Sequence, residues 1–214
     1  MISNHRPTLE IIIDPEGEQK EYLKEVFRYR ELFYFLAWRD IVVRYKQTLL
    51  GVFWALVRPL LTMAVFTLVF GKIAHLANEQ VNYSLFVLTA LLPWLLFAGS
   101  LIDTSQSLVN NTHMISKIYF PRIILPISDI MVHLVDFTIS LAFLMLLLLF
   151  GGYIPQWPLL ALPFFIALTL LLCLGSGLWL SAASARYRDF RFIVPFLVQF
   201  GVFLSPVGYS SFLL

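Results

Sequence analysis

Five apolar runs, each close to the length a helix needs to cross a lipid bilayer, are joined by segments whose charge alternates along the chain. Nothing else in the sequence limits the fold as strongly. Backbone N–H and C=O groups in hydrocarbon must be satisfied within the segment itself, and runs of this length do so as helices. The runs cover about residues 49–73, 83–101, 127–150, 159–184 and 192–207. Of the 15 Lys and Arg residues, only Lys72 lies in a segment assigned to the outside, and 151–158 carries no charge. Lys and Arg are retained on the cytoplasmic side, so this pattern orients every span at once and places the N-terminus inside. An all-α, multi-pass membrane protein is expected. Five spans leave the end of the chain outside, still apolar at Phe212, Leu213 and Leu214. Either the terminus is truly outside or a returning sixth span of about 20 residues lies beyond it, and the second is the expectation.

Composition is consistent with this reading. Hydrophobic residues make up 59% of the chain, charged residues 13%, and mean hydropathy is +0.81, outside the range of a soluble domain. The net charge of +2 is too small to point to a nucleic-acid partner, so the basic residues read as topology signals. Cys173, the single cysteine, lies in a span and reads as a small packing residue. The first twenty residues lack an apolar h-region, and no signal peptide is expected.

Before the spans, residues 1–17 read as a loose polar tail and 18–47 as a helix. Glu21, Lys24, Glu25, Arg28 and Glu31 mark one face, and Tyr22, Val26, Tyr29, Phe33 and Ala37 another. Aromatics opposite a charged face describe a helix lying in the membrane interface. The alternative is an ordinary amphipathic helix over a soluble core, which this chain lacks. Asp40 and Arg44, four apart with the acid first, are expected to pair along this helix. The chain thus divides into a cytoplasmic tail with its interfacial helix (1–48) and a transmembrane domain (49–214). Trp94, Trp157, Trp179, Tyr83 and Tyr153 lie near span ends and read as headgroup-level anchors. Pro93 is expected to interrupt the second span.

The chain has no G-x-x-x-x-G-K-[ST] loop, no His-Glu-x-x-His and no cysteine pair, so nucleotide and metal chemistry have no motif here. Asp129, His133 and Asp136 fall on one face of the third span, where ionisable residues are functional suspects. Their residue types would suit a metal or a proton relay, and an intramembrane enzyme is the reading this would support. The rival is a face turned toward a polar interior or a subunit contact, which needs no catalysis and no metal. In the fourth span Gly177, Ser181 and Ala185, with Gly175, Ala182 and Ser184 nearby, form a close-packing stripe. The cytoplasmic loop 109–126 holds Asn110, Asn111, His113, Lys117 and Arg122 among Ile115, Ile118, Tyr119 and Phe120, closed by Pro121 and Pro126. Its apolar ridge and flanking cations suit docking of a cytoplasmic partner.

Several of these segments together carry a resemblance. Trp38, Arg39 and Asp40, the run Arg44 to Gly51, Trp54 and Pro59 are similar to the N-terminal signature of the membrane subunit of ABC type-2 polysaccharide exporters. Leu92 to Trp94, Lys117 to Arg122, Ala185 to Asp189, and Ser205 to Val207 with Tyr209 match the same family in the same order. The similarity covers about residues 30–209. It implies six spans per subunit and a homodimer around a translocation path in the bacterial inner membrane. It also implies two copies of a separate ABC ATPase that bind ATP and magnesium, so that this chain itself holds no cofactor and catalyses nothing. The substrate so implied is a lipid-linked polysaccharide such as an O-antigen, capsular or teichoic acid chain, with membrane lipids around the permease. Loop residues Ile115, Lys117, Ile118, Tyr119, Phe120 and Arg122 are then the candidates for coupling to the ATPase. Phe53, Trp54 and Trp94 are the candidates for lining the sugar path, because sugar C–H faces pack on aromatic planes. A drug or small-lipid exporter of the same superfamily is the alternative.

Overall fold

The computed structural model describes residues 19–46, 51–73, 82–153, 157–205 and 207. All regular structure among them is helical. Helices α1 (Gln19–Arg28) and α2 (Arg30–Lys46) precede α3 (Phe53–Phe66), which runs on as a π-helical segment, Thr67–Ile73. Then come α4 (Tyr83–Asn110), the single turn α5 (Thr112–Ile115) and α6 (Ile124–Phe150). A 3-10 turn, Trp157–Ala161, leads into α7 (Leu162–Arg186), and α8 (Phe190–Leu204) follows. Four stretches are long and apolar enough to cross a membrane: Phe53–Gly71, Tyr83–Asn110, Ile124–Phe150 and Leu159–Arg186. The fifth expected span is the shorter apolar helix Phe190–Leu204. The tail 1–17, the motif residues Gln47 to Leu50 and Tyr209, and the expected sixth span lie outside the described residues.

Several boundaries differ from the expected ones. The helix expected over 18–47 is broken at Tyr29, although Phe33 N–H still bonds the Tyr29 carbonyl at 3.1 Å. The second span continues well past residue 101. Its polar end (Asp103, Thr104, Ser105, Ser107) stays helical because these side chains find partners on the helix itself, on α6 and on α7. The Thr104 and Ser105 hydroxyls donate to carbonyls three or four residues back, and the Ser107 and Ser181 hydroxyls meet at 3.2 Å. Pro93 does not interrupt α4; proline removes one N–H, and packing by neighbouring helices holds the rest of the turn. Gly51, at φ +47°, permits the left-handed turn before α3 that a side chain would resist.

Helix α4 is central. Leu88, Leu92 and Leu96 pack with Phe137 and Leu144 of α6, while Val87 and Leu91 pack with Phe66 and Val207. Ala98 and Leu101 meet Val194 and Val198 of α8. Against α7 the approach is closer still. Gly177 leaves no room for a Cβ beside the Thr104 side chain, and the Cys173 thiol donates to the Phe97 carbonyl at 3.7 Å. Cys173, Gly177, Ser181 and Ser184 are the buried residues of α7, whereas Gly175, Ala182 and Ala185 are exposed. The close-packing stripe is therefore real but rotated from the expected one, since 173, 177, 181 and 184 follow the line of contact with α4.

Helix α2 is fastened to this bundle at two levels. Near its middle, Leu36 packs with Phe120, Ile124 and Leu125 in a small core that also takes in Tyr29, Leu32, Phe33 and Ile115. At its C-terminal end, the Arg44 guanidinium pairs with the Asp136 carboxylate at 2.6 Å, and the Tyr45 hydroxyl donates to the same carboxylate. The expected pair along the helix is therefore not made. Asp40 pairs with its neighbour Arg39 at 2.7 Å, and Arg44 turns to a less exposed carboxylate that two donors share. Tyr34, Phe35, Trp38 and Val43 remain exposed on the other side of α2.

Candidate functional site

Between α2, α3, α4, α6 and α8 lies a cavity of about 990 Å³. It extends from Arg44, Tyr45 and Gly51 at one end to Phe66, Leu91 and Phe203 at the other. Polar groups reach it from four helices: Arg44 and Tyr45 from α2, Arg58 and Thr62 from α3, His133, Asp136 and Ser140 from α6, and Gln199 from α8. The α3–α6 wall is tied by the Ser140 hydroxyl, which donates to the Ala55 carbonyl at 3.0 Å.

Of the three aromatics chosen from sequence, Trp54 and Trp94 line this cavity and Phe53 does not. Phe53 is one position from Trp54, so the 100° rotation per helical residue turns it to the exposed surface. Trp94 is held against Phe97, with ring centroids 5.8 Å apart, and over Gly201, where a Cβ would lie 2.7 Å from the indole. One indole is thus rigidly seated from α4 while the other is half exposed on α3.

Asp129, His133 and Asp136 share a helix face but do not form one site. The His133 Nε2 lies 2.6 Å from an Asp103 oxygen on α4. Gly99 makes room for that ring, since a Cβ there would stand 2.5 Å from Nδ1. Asp136 is held by Arg44 and Tyr45. Asp129 makes no ion pair or hydrogen bond with a described residue. Among the described residues no group of three or more His, Cys, Asp and Glu side chains could hold a metal ion. Each engaged acid joins two helices, which is the work of polar fasteners in a packed bundle. Burial raises the Tyr45 phenol above its ordinary pKa, and the bond to Asp136 and that group's charge act in the same direction, so Tyr45 serves as a neutral donor.

Asp103 and Tyr45 were not among the residues chosen for chemistry. Asp103 is the one charged residue between Tyr83 and Asn110, and a lone carboxylate in such a run is a signal that sequence alone carries. Its partner was not legible.

The loop between α4 and α6 divides its residues between two directions. Ile118 and Tyr119 are 57% and 74% exposed, with Lys117 and Arg122 exposed beside them. Phe120, 5% exposed, turns inward against Leu36, Ile124 and Leu125, and Ile115 packs on the same cluster. The expected single ridge is thus corrected. Phe120 and Ile115 fasten the loop to α2, leaving Ile118 and Tyr119 as the free apolar pair. Pro121, next in the chain, is buried as well.

Over residues 31–211 the sequence matches the family model of the ABC-2 type transporter. A protein named O-antigen export system permease protein RfbA from Myxococcus xanthus is 28% identical over 187 residues, covering 87% of this chain and 71% of the relative. A protein of the same name from Klebsiella pneumoniae is 26% identical over 177 residues, 81% of this chain and 66% of the relative. The polysialic acid transport protein KpsM of Escherichia coli is 26% identical over 196 residues, 82% of this chain and 72% of the relative. With the match spanning nearly all the described helices, this multi-pass chain belongs to the ABC-2 type transporter membrane family.

Proposed function

We propose that this chain is the permease subunit of an ATP-driven exporter that carries a lipid-linked polysaccharide from the cytoplasm across the bacterial inner membrane. The observation that carries this reading is the likeness, over 81–87% of the chain, to relatives named for O-antigen and polysialic acid transport. A cavity with two indoles and a rim of hydrogen-bonding groups supports it, since sugars are bound by apolar ring faces together with directed polar contacts. Two permease copies pair around the path, and two ATPase subunits hold the ATP and magnesium. The N-terminus is cytoplasmic, with α1 and α2 lying in the inner leaflet's interface and the exposed Tyr34, Phe35 and Trp38 turned to lipid.

In this reading Ile118 and Tyr119 receive the ATPase. Phe120 passes its displacement to Leu36 on α2, and the Arg44–Asp136 pair carries it to the cavity end. No bond is made or broken by this chain; its residues bind, orient and move. The test is ATP-dependent accumulation of lipid-linked polysaccharide in inverted vesicles holding the permease and its co-purified ATPase, against an ATPase variant disabled in its Walker A lysine. Transport equal to that of the disabled variant refutes the reading, and ATPase stimulation by small amphiphiles alone would replace polysaccharide with a drug or lipid substrate.

A further inference from the structure

We infer that a second cavity, between α4, α6 and α7, holds one acyl chain of a phospholipid from the surrounding bilayer, and that this chain backs one wall of the larger cavity described above. The second cavity measures about 190 Å³. Its floor is buried, with Leu92 and Leu96 from α4 and Phe137 and Leu144 from α6. Its rim is exposed, with Pro93 on α4 and Leu159 and Phe165 on the α7 side. The three helices are of membrane length, and the lining falls in the halves of them that adjoin the α6–α7 connection. The mouth therefore opens within the bilayer.

The lining sets the class of occupant. No ionisable residue lines this cavity, and the Thr89 and Thr169 hydroxyls donate to the Leu85 and Phe165 carbonyls of their own helices at 2.8 and 2.9 Å. No side-chain donor is left for a sugar, a phosphate or a row of waters. Apolar cavities of roughly 150 Å³ in proteins stay dry and take up apolar molecules. In a bilayer the apolar molecules at hand are lipid chains, and the exposed rim gives them access to the buried floor. With no cation to hold an anionic headgroup, the site selects the chain alone. Met145, also in the lining, has an unbranched, flexible side chain that adapts to such a guest. Leu92, Leu96 and Phe137 line the larger cavity as well, so they form one wall between the two. A void leaves its lining without partner atoms on one side, and a seated chain supplies them to this wall.

The experiment uses the protein, with the subunits that co-purify, in phosphatidylcholine nanodiscs containing a trace of the same lipid with a diazirine on one acyl chain. Photolabelled residues are read by peptide mass spectrometry. Leu144 is 2% exposed and Leu171, on the outer face of α7, is 71% exposed. A chain seated in the cavity should label Leu144 at least as heavily as Leu171, and labelling that simply follows exposure overturns the inference. Thr169→Phe fills the cavity from α7 and should cut the Leu144 label several-fold while leaving Leu171 unchanged; an unchanged Leu144 label overturns the site. Should that variant fail to fold, Leu141→Trp fills the same space from α6 and is judged by the same readout. Phosphatidylglycerol with the same diazirine chain should label Leu144 equally, and a several-fold preference for it overturns selection of the chain alone. Label from a diazirine polyprenyl phosphate with none from phosphatidylcholine overturns the phospholipid source. Returning phosphatidylcholine to delipidated protein should raise the melting temperature of wild type more than that of Thr169→Phe, and equal gains overturn the support of the wall.

Discussion

Substitutions one or two positions apart in the α4–α6 loop should have different consequences, and the structure supplies the magnitudes. Phe120 is 5% exposed among Leu36, Ile124 and Leu125, whereas Ile118 and Tyr119 are 57% and 74% exposed. Phe120→Ala removes a buried ring at the junction of α2 with α6 and leaves a cavity there. Such losses cost about 3–5 kcal/mol in well-packed cores. Ile118→Ala and Tyr119→Ala remove little buried area and should change the stability of the isolated permease by less than about 0.5 kcal/mol. Their effect should appear only when the ATPase is present. If each is an apolar anchor in the partner's groove, truncation costs about 1–2 kcal/mol of association, a five- to thirty-fold weakening. Lys117→Ala should weaken association less, with an effect that shrinks at high salt. The assay pairs thermal unfolding of each purified variant with titration of the ATPase onto it, and polymer at the cell surface as the final readout. Unchanged ATPase affinity and export in the Ile118→Ala/Tyr119→Ala double variant would refute the coupling role. A Phe120→Ala protein as stable as wild type would refute the claim that the ring fastens the loop to α2.

Further outcomes follow from the same geometry. Asp136→Asn should lower thermal stability by about 1–3 kcal/mol, because the charge-assisted bonds from Arg44 and Tyr45 are lost together; a double-mutant cycle with Tyr45→Phe should show strong coupling, and simple additivity would count against the shared site. Because burial raises the Tyr45 pKa, the neutral phenol's contribution is complete below its ordinary value of 10.0 and falls as pH rises above it. The stability gap between wild type and Tyr45→Phe should therefore be flat from pH 7 to about 10 and narrow beyond, in a melting series across that range. Gly177→Ala places a methyl against Thr104 and should cost about 1–3 kcal/mol, while Gly175→Ala, with nothing near its Cβ, should be neutral or slightly stabilising; equal effects on melting would contradict the observed α4–α7 contact. Reporter fusions after Gly152 and after Asp189 should report opposite sides of the membrane, and both on one side would remove the five-span topology.

Helix existence was legible because it depends on residues close in sequence. Apolar runs of about 20 residues and turn signals such as Gly151 and Pro121 act over a few positions, and the five apolar helices fall where they were expected. Boundaries were less legible where polar residues stay helical. Asp103, Thr104 and Ser107 read as the end of a span, yet contacts with His133 and α7 carry the helix on to Asn110. Within the candidate site, Trp54 and Trp94 were found by residue type, and Phe53 was lost to a rotation of one residue.

The sequence by itself determined that this is a multi-pass helical membrane protein, because hydropathy and helical periodicity are local or additive properties. Only the tertiary structure decided which polar groups pair with one another across helices. Tyr45 meets Asp136 across 91 positions and His133 meets Asp103 across 30. Helical repeat can place three ionisable residues on one face. It cannot say which neighbouring helix turns toward them, because that choice is made by close packing at residues such as Gly99 and Gly177, where the absence of one Cβ sets how near two helices come.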